Sequence, residues 1–136
     1  ARRFSHTNST LDVRIEFDCL SQKDKGLVLQ MALKVADIGH MAAQLQQHEE
    51  WSLRLQEEFL KQGDLEKQMG FPVSPLMDRD KPSVMNPSNQ VTFTSVIAIP
   101  MLEAWKRAFP EGGGKLYSQA LSNRLHWQSK VTNQQK

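Results

Sequence analysis

The residue that invites a chemical reading is Asp37. It stands in Leu33-Lys34-Val35-Ala36-Asp37-Ile38, near the end of an apolar stretch, with His40 three residues on. A carboxylate among core-forming residues is costly to bury unless it is paired or bound to a cation. At a helix C-terminus it also faces the negative end of the backbone dipole. Two readings follow: a helix-end aspartate that reaches solvent or an arginine, or a metal ligand. Asp-x-x-His alone does not separate them, and the histidine spacing of a zinc site is absent. Ser, His and Asp are all present, but nothing orders them as a nucleophilic triad. Gly112-Gly113-Gly114 follows a helical segment instead of opening one after a strand, so it reads as a linker and not as a phosphate cradle. Cys19 is the only cysteine, which excludes an internal disulfide framework and a cysteine zinc cluster.

The elements that must position these residues are helical. Ser21-Gln22-Lys23-Asp24 has the form of a capping box and predicts a helix through Leu27–Ile38. That segment is apolar nearly all round, which predicts a buried helix. A second helix is predicted over 43–62. Its stripe runs Leu45, His48, Trp51, Ser52, Leu55, Phe59 and Gln62, with Glu50–Arg54 and Glu57–Lys61 as i,i+4 pairs. Such a stripe reads as core packing, and His48 as a satisfied, half-buried histidine. Gly63 reads as the stop of this helix and Asp64 as the cap of a short one ending at Met69. Residues 70–89, with Pro72, Pro75, Pro82 and Pro87, form a loop of a length that is usually functional or mobile. A third helix is expected from Asn89 to Phe109, kinked at Pro100. A last one is expected from Leu116 to Gln128, with Tyr117, Leu121 and Leu125 on one side and a frayed tail at 130–136. Residues 11–18 alternate like a strand but have no partner strand, and read as an extended connector. The fold class is all-α.

Composition bounds the function. The 136 residues include three Trp, six Phe and one Tyr and are 24% charged, which argues against disorder. No apolar run is long enough to span a membrane. A net charge of +2 makes no case for nucleic acid as a partner. The chain starts at Ala1 with neither an initiator methionine nor a signal peptide, and reads as a processed or partial chain of cytoplasmic location.

A series of motifs then gives a family resemblance. Ala36-Asp37-Ile38, Trp51, Glu57-Glu58-Phe59, Gln62-Gly63-Asp64, Ser74-Pro75-Leu76-Met77-Asp78-Arg79, Gln90-Val91-Thr92-Phe93, Pro100, Trp105 and Asn123-Arg124 with Trp127 occur in one order. In that order and spacing the chain resembles the catalytic domain of the class I 3′,5′-cyclic-nucleotide phosphodiesterases. The resemblance implies that residues 1–136 are the C-terminal helices of a larger multi-helix catalytic domain. It also implies that the parent protein hydrolyses cyclic AMP, cyclic GMP or both to the 5′-monophosphate. Asp37 would be one ligand of a two-metal centre, zinc and magnesium, that activates a water. Gln90 would hydrogen-bond the purine and Phe93 stack on it, with Leu55, Phe59 and Leu76 lining the pocket and His40 near the base. The family's His-Asn-x-x-His and His-Asp motifs are absent, which is read as truncation upstream of Ala1. Thr92 stands where the family has glycine, His48 where many members have tyrosine, and 84–90 is about two residues longer. The alternative from another class is a non-catalytic helical interaction domain that kept the fold.

Overall fold

A computed structural model describes residues 17–134. Five helices carry the fold: α1 (Gln22–Asp37), α2 (Leu45–Gln68), α3 (Pro87–Phe93), α4 (Ile99–Ala108) and α5 (Pro110–Gln134). Among the described residues there is no strand, and no helix is long and apolar enough to cross a membrane. Of the alternating segment, residues 11–16 lie outside the described residues. Phe17–Cys19 forms a 3-10 turn instead of an extended connector.

α1 starts as its cap predicts: the Asp24 N–H donates to Ser21 Oγ at 3.1 Å, and that hydroxyl donates to the Asp24 carboxylate at 2.6 Å. It is not a buried helix. Val35 alone in it is buried, while Leu27, Leu29 and Leu33 are each at least 60% exposed. Within the described residues only α4 and the Gly39–Ala42 turn pack closely on α1, and two neighbours cover one side of a helix.

α2 is one uninterrupted helix and does not stop at Gly63. Gly63 is buried inside it, because the Met77 carbonyl comes so close that a Cβ built there would stand 1.9 Å from the oxygen. The glycine is needed for a close approach, not for a turn. The real stop is Gly70, at φ +74°, where Gly70 N–H reaches Lys67 O and Phe71 N–H reaches Glu66 O. This pair of bonds is the Schellman closure that glycine permits.

The third helical segment begins two residues earlier than expected. Asn86 accepts from the N–H groups of Ser88 and Asn89, and Pro87 takes the first helical position, where its missing donor costs nothing. Before Pro100 the chain widens into a π turn over Thr94–Ala98, with the Ile99 N–H reaching back to Thr94 O. The proline's disruption is taken up in the hydrogen-bond register, so the path stays helical from α3 to α4.

The three glycines at 112–114 are not a linker. Phe109 makes the break, and α5 starts at Pro110, so the glycines sit in its first turns. Gly113 is buried because α4 crosses there: a Cβ would lie 2.6 Å from Lys106 Cα. α5 runs to Gln134 and not to Gln128. Its buried positions are Gly113, Ala120, Asn123 and Trp127, whereas Leu125 is 62% exposed. The expected stripe was thus rotated on the helix. Gly113 and Ala120, both small, lie on the inner face with Asn123 and Trp127, and α3 and α4 pack against α5. Val35, Leu102 and Ala120 form the core, with Trp105, Leu116 and Tyr117 around it.

Candidate functional site

Four pieces of chain enclose one cavity of about 470 Å³. The end of α1 and the following turn bring Asp37, Ile38, His40 and Met41. One face of α2 brings Trp51, Leu55, Glu58 and Phe59 at helical spacing, with Arg54 beside them. The connection from α2 to α3 brings Leu76 and Val84, and α3 brings Asn89, Gln90 and Phe93. Asp37, His40, Leu55, Phe59, Leu76, Gln90 and Phe93, named from sequence, therefore all line the same space.

Gln90 is 5% exposed, and its Nε2 donates to the Val84 carbonyl at 3.0 Å. A carbonyl accepts only, so the amide must turn its nitrogen to Val84 and its oxygen the other way. That Oε1 is buried without a hydrogen-bond partner. A buried acceptor left unmade is costly, and it marks a place where a donor is expected. Three residues on, Phe93 offers a half-exposed ring to the same space. On the α2 side, Arg54 lies 5.0 Å from the centre of the Trp51 ring.

His40 is half-buried, and burial pushes its pKa down, so a neutral imidazole is favoured. Its ring stacks on His48 at 5.4 Å between centres and 15° between planes. His48 is fully buried and its Nε2 accepts from Trp127 Nε1 at 2.8 Å. Because indole nitrogen only donates, His48 must carry its proton on Nδ1. Burial, then the charges on His40 and His126, push the His48 pKa down to about 4, against the opposing effects of the His40 backbone and Glu49. The closing motif ties α5 to this wall: Asn123 Nδ2 donates to Met41 O at 3.0 Å and Ala43 O at 2.9 Å.

Asp37, the last residue of α1, is exposed at the cavity. Its carboxylate thus avoids the burial cost that the apolar sequence around it suggested. Among the described residues no three His, Cys, Asp or Glu side chains are grouped to hold a metal ion. An accessible carboxylate is a suitable single donor to a divalent cation, but one donor is not a site.

The family profile of the 3′5′-cyclic nucleotide phosphodiesterases matches residues 2–117. The chain belongs to that family. Among curated phosphodiesterases, 3′,5′-cyclic-AMP phosphodiesterase 4 of Dictyostelium discoideum is 36% identical over 91 residues, which is 67% of this chain and 9% of that protein. The probable 3′,5′-cyclic-AMP phosphodiesterase pde-4 of Caenorhabditis elegans is 31% identical over 108 residues, 79% of this chain and 16% of that protein. The high affinity cGMP-specific 3′,5′-cyclic phosphodiesterase 9A of Drosophila melanogaster is 38% identical over 95 residues, 70% of this chain and 6% of that protein. The chain thus spans less than a fifth of these relatives. The solved structure of LmjPDEB1 in complex with IBMX superposes with a TM-score of 0.76 at 24% identity, over 83% of this chain and 33% of that one. The all-α fold is therefore that of a phosphodiesterase.

Several residues line the cavity without a sequence signal that assigned them to it. Glu58 was visible as part of Glu57-Glu58-Phe59, and it shares the face of Leu55 at i+3. Trp51 was assigned to the core yet is 51% exposed at the cavity. Val84 and Asn89 carried no local signal, since only the path of the loop brings them in.

Proposed function

We propose that the protein to which this chain belongs hydrolyses the cyclic phosphodiester of cyclic AMP, cyclic GMP or both to the 5′-monophosphate, and that this chain forms the wall that grips the purine. The observation that carries the reading is Gln90. Its nitrogen is held by the Val84 carbonyl and its buried oxygen has no partner, on a residue lining the cavity beside Phe93. An acceptor there suits the exocyclic amine of adenine or the ring N–H of guanine, and the Phe93 ring supplies a flat apolar face. Leu55, Phe59 and Leu76 would close the space around the base, and His40 would stand near it as a neutral imidazole. Asp37 would give one carboxylate to two divalent cations, zinc and magnesium, whose other ligands come from outside the described residues. Such ions, when bound, supply Lewis-acid activation of water and phosphate. This chain's own share is to hold the base so that the phosphate is presented in one orientation.

Steady-state kinetics of the parent protein test this. Gln90→Ala leaves the purine edge unpaired and should cost about 1–3 kcal/mol in kcat/KM. Phe93→Ala should cost a similar amount, by analogy with the roughly 1–3 kcal/mol per base of aromatic stacking. Both effects should fall on KM more than on kcat, because the base is remote from the reacting bond. An unchanged KM in Gln90→Ala would refute the grip.

A further inference from the structure

Apart from Leu76, two sequence motifs have no part in the reading above, Gln62-Gly63-Asp64 on α2 and Ser74-Pro75-Leu76-Met77-Asp78-Arg79 in the connection that follows. In the fold they lock onto each other. Arg79 Nε donates to both Asp64 oxygens at 3.0 and 2.9 Å, and its Nη2 adds a bond of 2.8 Å. Two residues on, Glu66 accepts from the Ser74 N–H at 2.7 Å and the Ser74 hydroxyl at 2.9 Å, while Gln62 Nε2 steadies Glu66 at 3.0 Å. Between these two grips the Met77 backbone presses onto Gly63, where any side chain would collide with it.

What lies inside the clasp is Leu76, at φ +67°, the only non-glycine residue at positive φ among the described residues. A bulky L-residue avoids this region, because its Cβ crowds the backbone, and persists there only where its surroundings over-determine the conformation. Here they do: Ser74, two before, is hydrogen-bonded to α2; Met77, one after, lies with its backbone against Gly63; and the Leu76 carbonyl accepts from the Ser83 hydroxyl. Leu76 also lines the cavity.

We propose that the two motifs form a positioning clasp. Gly63, Asp64 and Arg79 hold Leu76 in its left-handed conformation, so that its side chain forms a preset wall of the nucleotide cavity. The clasp explains why a glycine sits inside a helix that would be better formed with alanine. It also explains why an exposed ion pair, ordinarily of small effect, takes multidentate arginine geometry here. Opposite charges set against each other hold the Asp64 carboxyl below its ordinary range, first through the Arg79 hydrogen bonds.

The proposal rests on the nucleotide reading of the cavity, and its test separates the two. In the parent protein, Gly63→Ala and Asp64→Asn should each raise KM for the cyclic nucleotide about fivefold, with kcat within about twofold, equivalent to about 1 kcal/mol of binding. Leu76→Gly should raise KM similarly, while leaving the melting temperature unchanged or higher, since the strain goes with the side chain. Hydrogen exchange at the amides of 74–83 should quicken in Gly63→Ala and Asp64→Asn. The charge exchange Asp64→Arg with Arg79→Asp should restore both KM and protection. Unchanged exchange in both single variants, or faster exchange with an unchanged KM, would overturn the clasp. So would a KM defect that the charge exchange does not repair. If the wild-type parent hydrolyses neither nucleotide, the activity reading fails, and the exchange measurements still decide whether the motifs hold the loop.

Discussion

His48 is the residue on which the back wall of the cavity turns. It is fully buried, accepts from Trp127 and stacks on His40. Its neutral form is the one the fold wants, since a protonated Nε2 would face the indole N–H donor to donor. The folded pKa of about 4 lies below the ordinary value of 6.5. Its stabilising contribution is therefore complete above about pH 6.5 and is lost as pH falls toward 4. The gap corresponds to about 3 kcal/mol at full effect. His40 acts in the same direction, as burial lowers its pKa too. Glu49, held below its ordinary range by Lys130 and then His126, adds an acid-sensitive contribution only at lower pH. Melting temperatures of the chain between pH 7 and pH 4 should fall. In the His48→Phe, Trp127→Phe double variant the fall should be shallower, because donor and acceptor go together. A fall of equal steepness in both would show that His48 does not govern it. Trp127→Phe alone leaves a buried acceptor without its donor and should cost about 1–3 kcal/mol at pH 7.

At the scale of elements, the glycines of α5 separate two properties that composition merges. Gly112 and Gly114 have open space where a Cβ would go, whereas Gly113 has Lys106 Cα at 2.6 Å and Lys106 N at 2.8 Å. In a helix, alanine is favoured over glycine by up to about 1 kcal/mol. Gly112→Ala and Gly114→Ala should therefore raise the melting temperature or leave it unchanged. Gly113→Ala should lower it, because the backbones of α4 and α5 must move apart and loosen the Leu102–Ala120 core. Thermal melts of the three variants check the contrast; an equally stable Gly113→Ala would mean that the crossing gives way without cost. How much of this level was legible depends on how local the cause is. Ser21 was readable as a cap because its bond closes within three residues. Gly63 and Gly113 were misread as breaks because their reason is another segment's backbone, Met77 in one case and Lys106 in the other. The Leu125 face was misplaced for a similar reason, since apolarity picks out a face only when the neighbour's position is known.

At the scale of the whole molecule, the cavity is built from segments spread from Asp37 to Phe93, and α5's bonds to the Met41 and Ala43 carbonyls help to hold the first of these in place. Asp37 is an exposed residue of the lining, with no group of three metal-ligating side chains among the described residues. The 136-residue chain by itself should therefore turn over neither cyclic nucleotide, and its rate should match that of its Asp37→Ala variant. In the parent, Asp37→Ala should lose both activity and bound divalent metal, measured by elemental analysis, because loss of a ligand weakens the whole site. Full metal content in that variant would remove Asp37 from the ligand set. The open faces of α1 also belong to this scale: a helix apolar on several sides has one of them covered here.

Helical class, the first cap and the ordered motifs were determined by the sequence itself, since each rests on contacts within a few residues or on residue order. The cavity residues Asp37, His40, Leu55, Phe59, Leu76, Gln90 and Phe93 could be named from that order, but nothing local said how they face one another. The tertiary structure alone decided the orientation of the Gln90 amide, through a carbonyl six residues away, and the tautomer of His48, through an indole 79 residues away. It also decided the left-handed backbone of Leu76. These are properties of packed pairs: a hydrogen bond or a close approach selects one state only once both partners are in place, and the chain brings them together only by folding.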